Sequence, residues 1–216
     1  MLALAAHRVA GRLPVLAPVH RRRQAATFRE DLLLLNDVLA GTRFGAHYWV
    51  WGGMLLGWAR EGGLLAHDVG DADFCYDASA DAEFAAAVPA LRAAGFRPWF
   101  SYRDSDGELR ERVFVRRGSK FEFFRLTTTG AEQEYRMFGS DGLEPVEVLG
   151  RIPAQRPETF SFLGRRWNKP VDHEGLLRRH YGDWRIPVTD WHYLTDDGTV
   201  VETRPWVVGP AQDTGR

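Results

Sequence analysis

The stretch Gly52–Phe74, GGMLLGWAREGGLLAHDVGDADF, decides how the rest of the 216-residue chain is read. It follows His47-Tyr48-Trp49-Val50-Trp51, whose aromatic and β-branched side chains suit a short buried strand. Gly52-Gly53 stops that strand, and Met54 to Arg60 reads as a short helix ending near Gly62-Gly63. Glycines at such a junction let the backbone approach a ligand, and free amides at the helix start can cradle phosphate. A plain turn is the competing reading. The stretch closes on a second signal. If Asp71 to Tyr76 is extended, Asp71 and Asp73 point to one face, because strand side chains alternate. Two adjacent carboxylates repel each other, and a divalent cation resolves that repulsion; oxygen-only ligands suit Mg²⁺ or Mn²⁺. The alternative is a solvated acidic loop edge. Glu122, within Lys120-Phe121-Glu122-Phe123-Phe124, shifts the balance. An acid in an aromatic strand needs a partner or a metal where it is buried, and hairpin geometry can set that strand beside the aspartates.

Upstream, residues 1–20 hold two prolines and no sustained period, so they read as an N-terminal arm. From Arg22 to Leu39 the chain turns helical, with Phe28, Leu32, Leu35 and Leu39 forming one apolar stripe. Downstream, Asp81 to Ala94 is an alanine-rich helix in which Pro89 predicts a kink or break. Strands are expected over 97–102, 110–116 and 120–127, the last two joined by the turn Arg117-Gly118-Ser119. A loop-rich stretch to Pro170 carries short strand candidates at 145–148 and 160–163. His173 to Tyr181 reads as a short helix stopped by Gly182, and the tail over 205–216 as frayed. The alternation gives an α/β or α+β chain, with residues 21–204 as a single domain around a mixed sheet flanked by helices.

Composition narrows the function classes. The formal charge is −1, so no global basic field argues for nucleic acid. One cysteine rules out an internal disulfide framework and the usual multi-cysteine zinc sites; Cys75, between Phe74 and Tyr76, reads as an inert core thiol. Apolar runs are interrupted well before about 18 residues, so no transmembrane segment is expected. The N-terminus lacks the compact apolar core of a secretory signal, and the expected location is cytoplasmic.

A strand ending in Gly-Gly, a helix, a strand carrying D-x-D and a later strand with a third acid resembles the nucleotidyltransferase superfamily. More closely, Gly52–Phe74 resembles the core of the LicD/fukutin family, with its Gly-Gly turn, Leu-Leu-Gly helix with an arginine, and D-x-D segment. Leu176-Leu177-Arg178-Arg179-His180-Tyr181-Gly182-Asp183-Trp184-Arg185-Ile186-Pro187 is similar to that family's terminal leucine, Tyr-Gly, Trp, Pro signature. The resemblance spans Tyr48 to Pro187. It implies a nucleotidyltransferase-like sheet and transfer of a phospho-alcohol unit, phosphocholine or ribitol phosphate, from a CDP-activated donor to a glycan hydroxyl. Asp71, Asp73 and Glu122 are then the catalytic and metal-binding acids, and Gly52, Gly53, Arg60 and His67 the substrate-binding residues. Met54 departs from the usual Thr or Ser, the acidic stretch is one residue longer, and Glu122 stands where aspartate is common. Transfer of NMP to a small molecule or protein, and a non-catalytic binding module, stay open as alternatives. So do bland readings: a surface ion pair for Arg60, a loop histidine for His67, an outer or loop acid for Asp68, and aromatic packing for Trp191, His192 and Tyr193.

Overall fold

The Phe28-Leu32-Leu35-Leu39 stripe becomes the buried face of the first helix. In the computed structural model, which describes residues 17–142 and 144–212, α1 runs Ala17–Ala40 and buries all four side chains. It therefore begins before Arg22, so the arm expected over 1–20 is helix from residue 17; residues 1–16 lie outside the described part. A tight turn at Arg43–Ala46 drops Phe44 into the core, and β1 (Tyr48–Val50), α2 (Gly52–Glu61) and β2 (Asp71–Asp77) follow. Next come α3 (Asp81–Ala93), β3 (Arg97–Arg103), β4 (Leu109–Arg116) and β5 (Ser119–Thr129).

The region expected to be loop-rich is instead mostly strand. It holds β6 (Glu132–Asp141), β7 (Glu144–Pro153) and a hairpin of β8 (Pro157–Phe162) with β9 (Arg165–Pro170). The reason lies on the inner face of β6, which carries Gln133 beside Tyr135. Gln133 is buried because its amide donates to Asp77 Oδ2, Thr128 Oγ1 and the Gln155 carbonyl, a use the apolar/polar alternation cannot announce. After α4 (His173–Tyr181), β10 (Val200–Pro205) pairs with β7, and β11 (Ala211–Gln212) pairs with β3. The tail is thus paired at 211–212 rather than frayed. Trp206 helps hold it, donating its indole N–H to the Arg103 carbonyl at 2.9 Å. Pro89 does not interrupt α3. One missing backbone donor is offset by keeping Phe84, Ala87 and Leu91 on one buried face.

The fold is mixed α+β. The sheet order is β10-β7-β6-β5-β4-β3-β11, with β2 joined to β5 in parallel and to β1 antiparallel. The centre is β5. Its first half bonds β4 on one edge and β2 on the other, and its last three residues pass to β6. Four α-helices are present among the described residues, and none of these is long and apolar enough to cross a membrane. Under the sheet, Phe123 packs its ring within about 6.4 Å of those of Phe44, Tyr48, Phe74, Phe84 and Phe114. Phe123→Ala is therefore expected to lower stability by about 3–5 kcal/mol, read as a fall in urea midpoint at unchanged slope.

Candidate functional site

The parallel register of β2 on β5 sets Asp71 opposite Lys120 and Asp73 opposite Glu122. Side chains two apart share a face, so all four converge above the sheet. Asp71, Asp73 and Glu122 each present one oxygen, and the three atoms lie within 4.8 Å of one another. Lys120 stands among them, its Nζ 3.0 Å from Asp71 Oδ2 and donating to Glu122 Oε2 at 2.9 Å. Asp71 Oδ1 is buried and has no hydrogen-bond partner.

A fourth acid joins this group from β4. Val113 pairs with Glu122 and Glu111 with Phe124, which puts Glu111 on the same face two residues along. Glu111 is 4% exposed, and its carboxyl lies against that of Glu122 within hydrogen-bonding reach. The sequence hides it between Arg110 and Arg112, where it reads as a solvated charge; the period of two from Val113 is the signal that finds it. Electrostatics follow from the crowding. Burial first, then the neighbouring Glu122 and Asp71, pushes the Asp73 carboxyl well above its usual range. Burial, then Glu122 and Asp73, does the same for Glu111. Glu122 is pushed up to about 7 by burial and Asp71, with Lys120 opposing. Burial works against the charge of Lys120, but Glu122 and Asp71 outweigh it and raise the ammonium above its ordinary value.

The paired glycines sit against these acids. Trp51 N donates to the Asp73 carbonyl at 3.0 Å, and α2 starts at the next residue. Gly52 has φ +51°, and a Cβ there would lie 2.6 Å from Asp73 Oδ2. A Cβ on Gly53 would land on the Asp68 carboxylate. Both positions thus need glycine to admit carboxylates beside the helix start. The first helical bond seen there is Leu55 N to the Trp51 carbonyl, so the amides of 52–54 have no partner within the helix.

Arg60 and His67 differ in quality as candidates. Arg60 lies in the last turn of α2 and lines the cleft; its Nη2 reaches Glu61 at 3.0 Å, while its buried Nε has no partner. The His67 side chain is 74% exposed, on the rim, with Nε2 3.5 Å from Asp68. Asp68 itself is a cleft-wall residue whose carboxyl is raised, first by burial, with His67 and Arg60 opposing.

Of these groups, Gly52, Gly53, Arg60, His67, Asp68, Asp71 and Asp73 line a cleft of about 430 Å³. Its aromatic lining comes from α4 and the segment after it: Tyr181, Trp184, Trp191 and Tyr193. Tyr181 and Trp191 stand with ring centroids 4.9 Å apart. The indole N–H groups of Trp184 and Trp191 are buried without acceptors. Trp191 and Tyr193 thus do line a cleft, whereas His192 is exposed and contributes nothing to the wall. His180 and Asp197, which no local spacing in the sequence connects, also line it. The chain matches no protein-family model and no curated protein.

Proposed function

We propose that the chain is a divalent-cation-dependent transferase of nucleotidyltransferase-like architecture. It moves a phospho-alcohol unit of phosphocholine or ribitol phosphate type from a CDP-activated donor to a glycan hydroxyl. The observation that carries this reading is the convergence of the Asp71, Asp73 and Glu122 carboxylates within 4.8 Å beside the glycine start of α2. The LicD/fukutin resemblance of the same residues supplies the reaction class.

The donor set fits Mg²⁺ or Mn²⁺. Its ligands are all oxygens, crowded enough to disfavour the charge of Asp73 and Glu122, and Asp71 Oδ1 has no other partner. Asp71, Asp73 and Glu122 would hold the ion, which when bound neutralises charge on a diphosphate. The amides of Gly52 and Gly53 donate to the donor's phosphate oxygens from the positive end of α2. Arg60 adds a guanidinium from the far end of the same helix. The indoles of Trp184 and Trp191 form part of the wall against which the donor or acceptor packs.

One observation favours a second reading. Lys120 already supplies a cation to Asp71 and Glu122, as it would in a non-catalytic protein that keeps the fold with its acids internally neutralised. Calorimetry with Mn²⁺ separates the two: the transferase reading expects binding, and a silent titration selects the second. Incubation with labelled CDP-choline, CDP-ribitol, CTP and ATP then separates the chemistries. CMP release from a CDP-alcohol supports phospho-alcohol transfer, and pyrophosphate release from CTP or ATP supports NMP transfer. For Arg60, Arg60→Lys should weaken CDP-alcohol binding by about 1–3 kcal/mol through loss of charge-assisted hydrogen bonds. Unchanged donor affinity with a lower melting temperature would make Arg60 a structural ion pair only.

A further inference from the structure

Behind the His180 and Asp197 wall of the cleft runs a buried hydrogen-bonded chain that the acid cluster does not use. The Tyr135 hydroxyl lies 2.5 Å from Thr199 Oγ1, and Thr199 donates to Asp197 Oδ1 through Oγ1 at 2.6 Å and through its backbone N–H at 2.9 Å. The other Asp197 oxygen, Oδ2, lies 2.9 Å from His180 Nδ1. A carboxylate oxygen accepts, so the pair puts the hydrogen on Nδ1 and points to Nε2 as the ring's acceptor nitrogen. That Nε2 is buried and has no partner, and the His180 side chain is 9% exposed.

The place of the ring gives this unfilled acceptor a meaning. His180 and Asp197 both line the cleft. The Trp51 ring stands edge-on to His180 with centroids 4.9 Å apart, and the next residue, Gly52, packs against the Asp73 carboxylate. Trp51 thus stands between the ring and the glycine that packs against Asp73. A buried acceptor without a donor costs about 1–3 kcal/mol, and such groups persist where a ligand supplies the missing partner. Three of the other candidates for taking a proton are committed. Asp71 and Glu122 are tied to Lys120, and Glu122 also bonds Glu111. Burial and Asp73 hold Tyr181 as a neutral phenol.

We propose that His180, oriented by Asp197, takes the proton from the attacking hydroxyl bound in the cleft; this rests on the transferase reading above. The hydroxyl proton passes to His180 Nε2, and the oxygen's electron pair forms the new bond to the donor's outer phosphorus. The bond from that phosphorus to CMP breaks, and its electron pair leaves on the CMP phosphate. The imidazolium then returns its proton to solvent. His180 is the catalytic residue, and Asp197 is a positioning residue that acts through it.

Two measurements test this. In ¹⁵N spectra of the full-length wild-type protein at pH 8, the His180 ring should show protonated Nδ1 and bare Nε2, and Asp197→Asn should change that tautomer balance. A wild-type ring protonated at Nε2 instead overturns the proposal, and that measurement needs no variant at His180. His180→Asn keeps an N–H for Asp197 and removes Nε2. It should bind Mn²⁺ within about two-fold of wild type and release CMP from CDP-choline or CDP-ribitol at least about 100-fold more slowly, the usual contribution of a positioned base. Unchanged CMP release in a folded His180→Asn protein that binds Mn²⁺ overturns the base and leaves the transferase reading standing. A wild-type protein that binds no Mn²⁺, or releases no CMP from either donor, overturns both.

Discussion

Asp73→Asn is expected to abolish Mn²⁺ binding in calorimetry and to reduce CMP release from a CDP-alcohol by about 10³-fold or more, while the protein stays folded. The expectation follows from where the side chain lies. Asp73 faces Glu122 across the parallel β2–β5 register, and its Oδ2 rests against Gly52. Burial and the neighbouring Glu122 and Asp71 carboxylates disfavour its charge. Removing that charge removes repulsion, and asparagine fills the same space. The melting temperature without metal should therefore hold or rise, by about 2–4 °C for each kcal/mol of repulsion relieved. The pairing of the two results is the discriminating part. A side chain kept only for structure would lose melting temperature when changed and leave cation binding alone. If Asp73→Asn still binds Mn²⁺ at wild-type affinity, the acid cluster is not a cation site.

The acid cluster was legible because strand geometry is strict. A period of two puts Asp71 and Asp73 on one face whatever the surroundings, and an acid among Phe121, Phe123 and Phe124 announces burial. The α1 stripe was legible for the same reason at a period near 3.6. Gly52 and Gly53 were found, but their steric reason is a tertiary fact: the space where their Cβ atoms would sit is taken by Asp73 and Asp68. What the sequence hid is what long-range pairing decides. Gln133 reads as exposed until Asp77, Thr128 and Gln155 surround it, so β6 was missed. Glu111 is masked by Arg110 and Arg112 until β4 lies beside β5. His180 and Asp197 are 17 residues apart with no helical or strand period linking them, and only the return of the chain after α4 joins them.

Acidity should couple the cluster to stability in a direction opposite to that of most carboxylates. Glu122 is pushed up to about 7, from an ordinary value of 4.5, because burial and Asp71 disfavour its charge. Between those two values the folded state holds a proton that the unfolded chain has released. Stability without metal is therefore greatest on the acid side of the window and falls as pH rises through it, by on the order of 3 kcal/mol for this one group. Glu111 and Asp73, also raised, act in the same direction. Asp104 and Glu147, held below their usual range despite burial by bonds from Arg110 and from Arg204 and Ser105, stabilise only above their unfolded values and lose that contribution at lower pH. His173 is lowered by burial and Lys169 and acts the other way within the same window, so the cluster's part is read as the difference between wild type and Glu122→Gln. Urea midpoints from pH 4.5 to 8 should fall more steeply for wild type than for Glu122→Gln. Mn²⁺ binds the ionised carboxylates, so the stabilisation it gives should be small at pH 5 and large at pH 8. Parallel profiles for the two proteins would show that Glu122 carries no displaced proton. A Mn²⁺ effect independent of pH would place the ion away from these carboxylates.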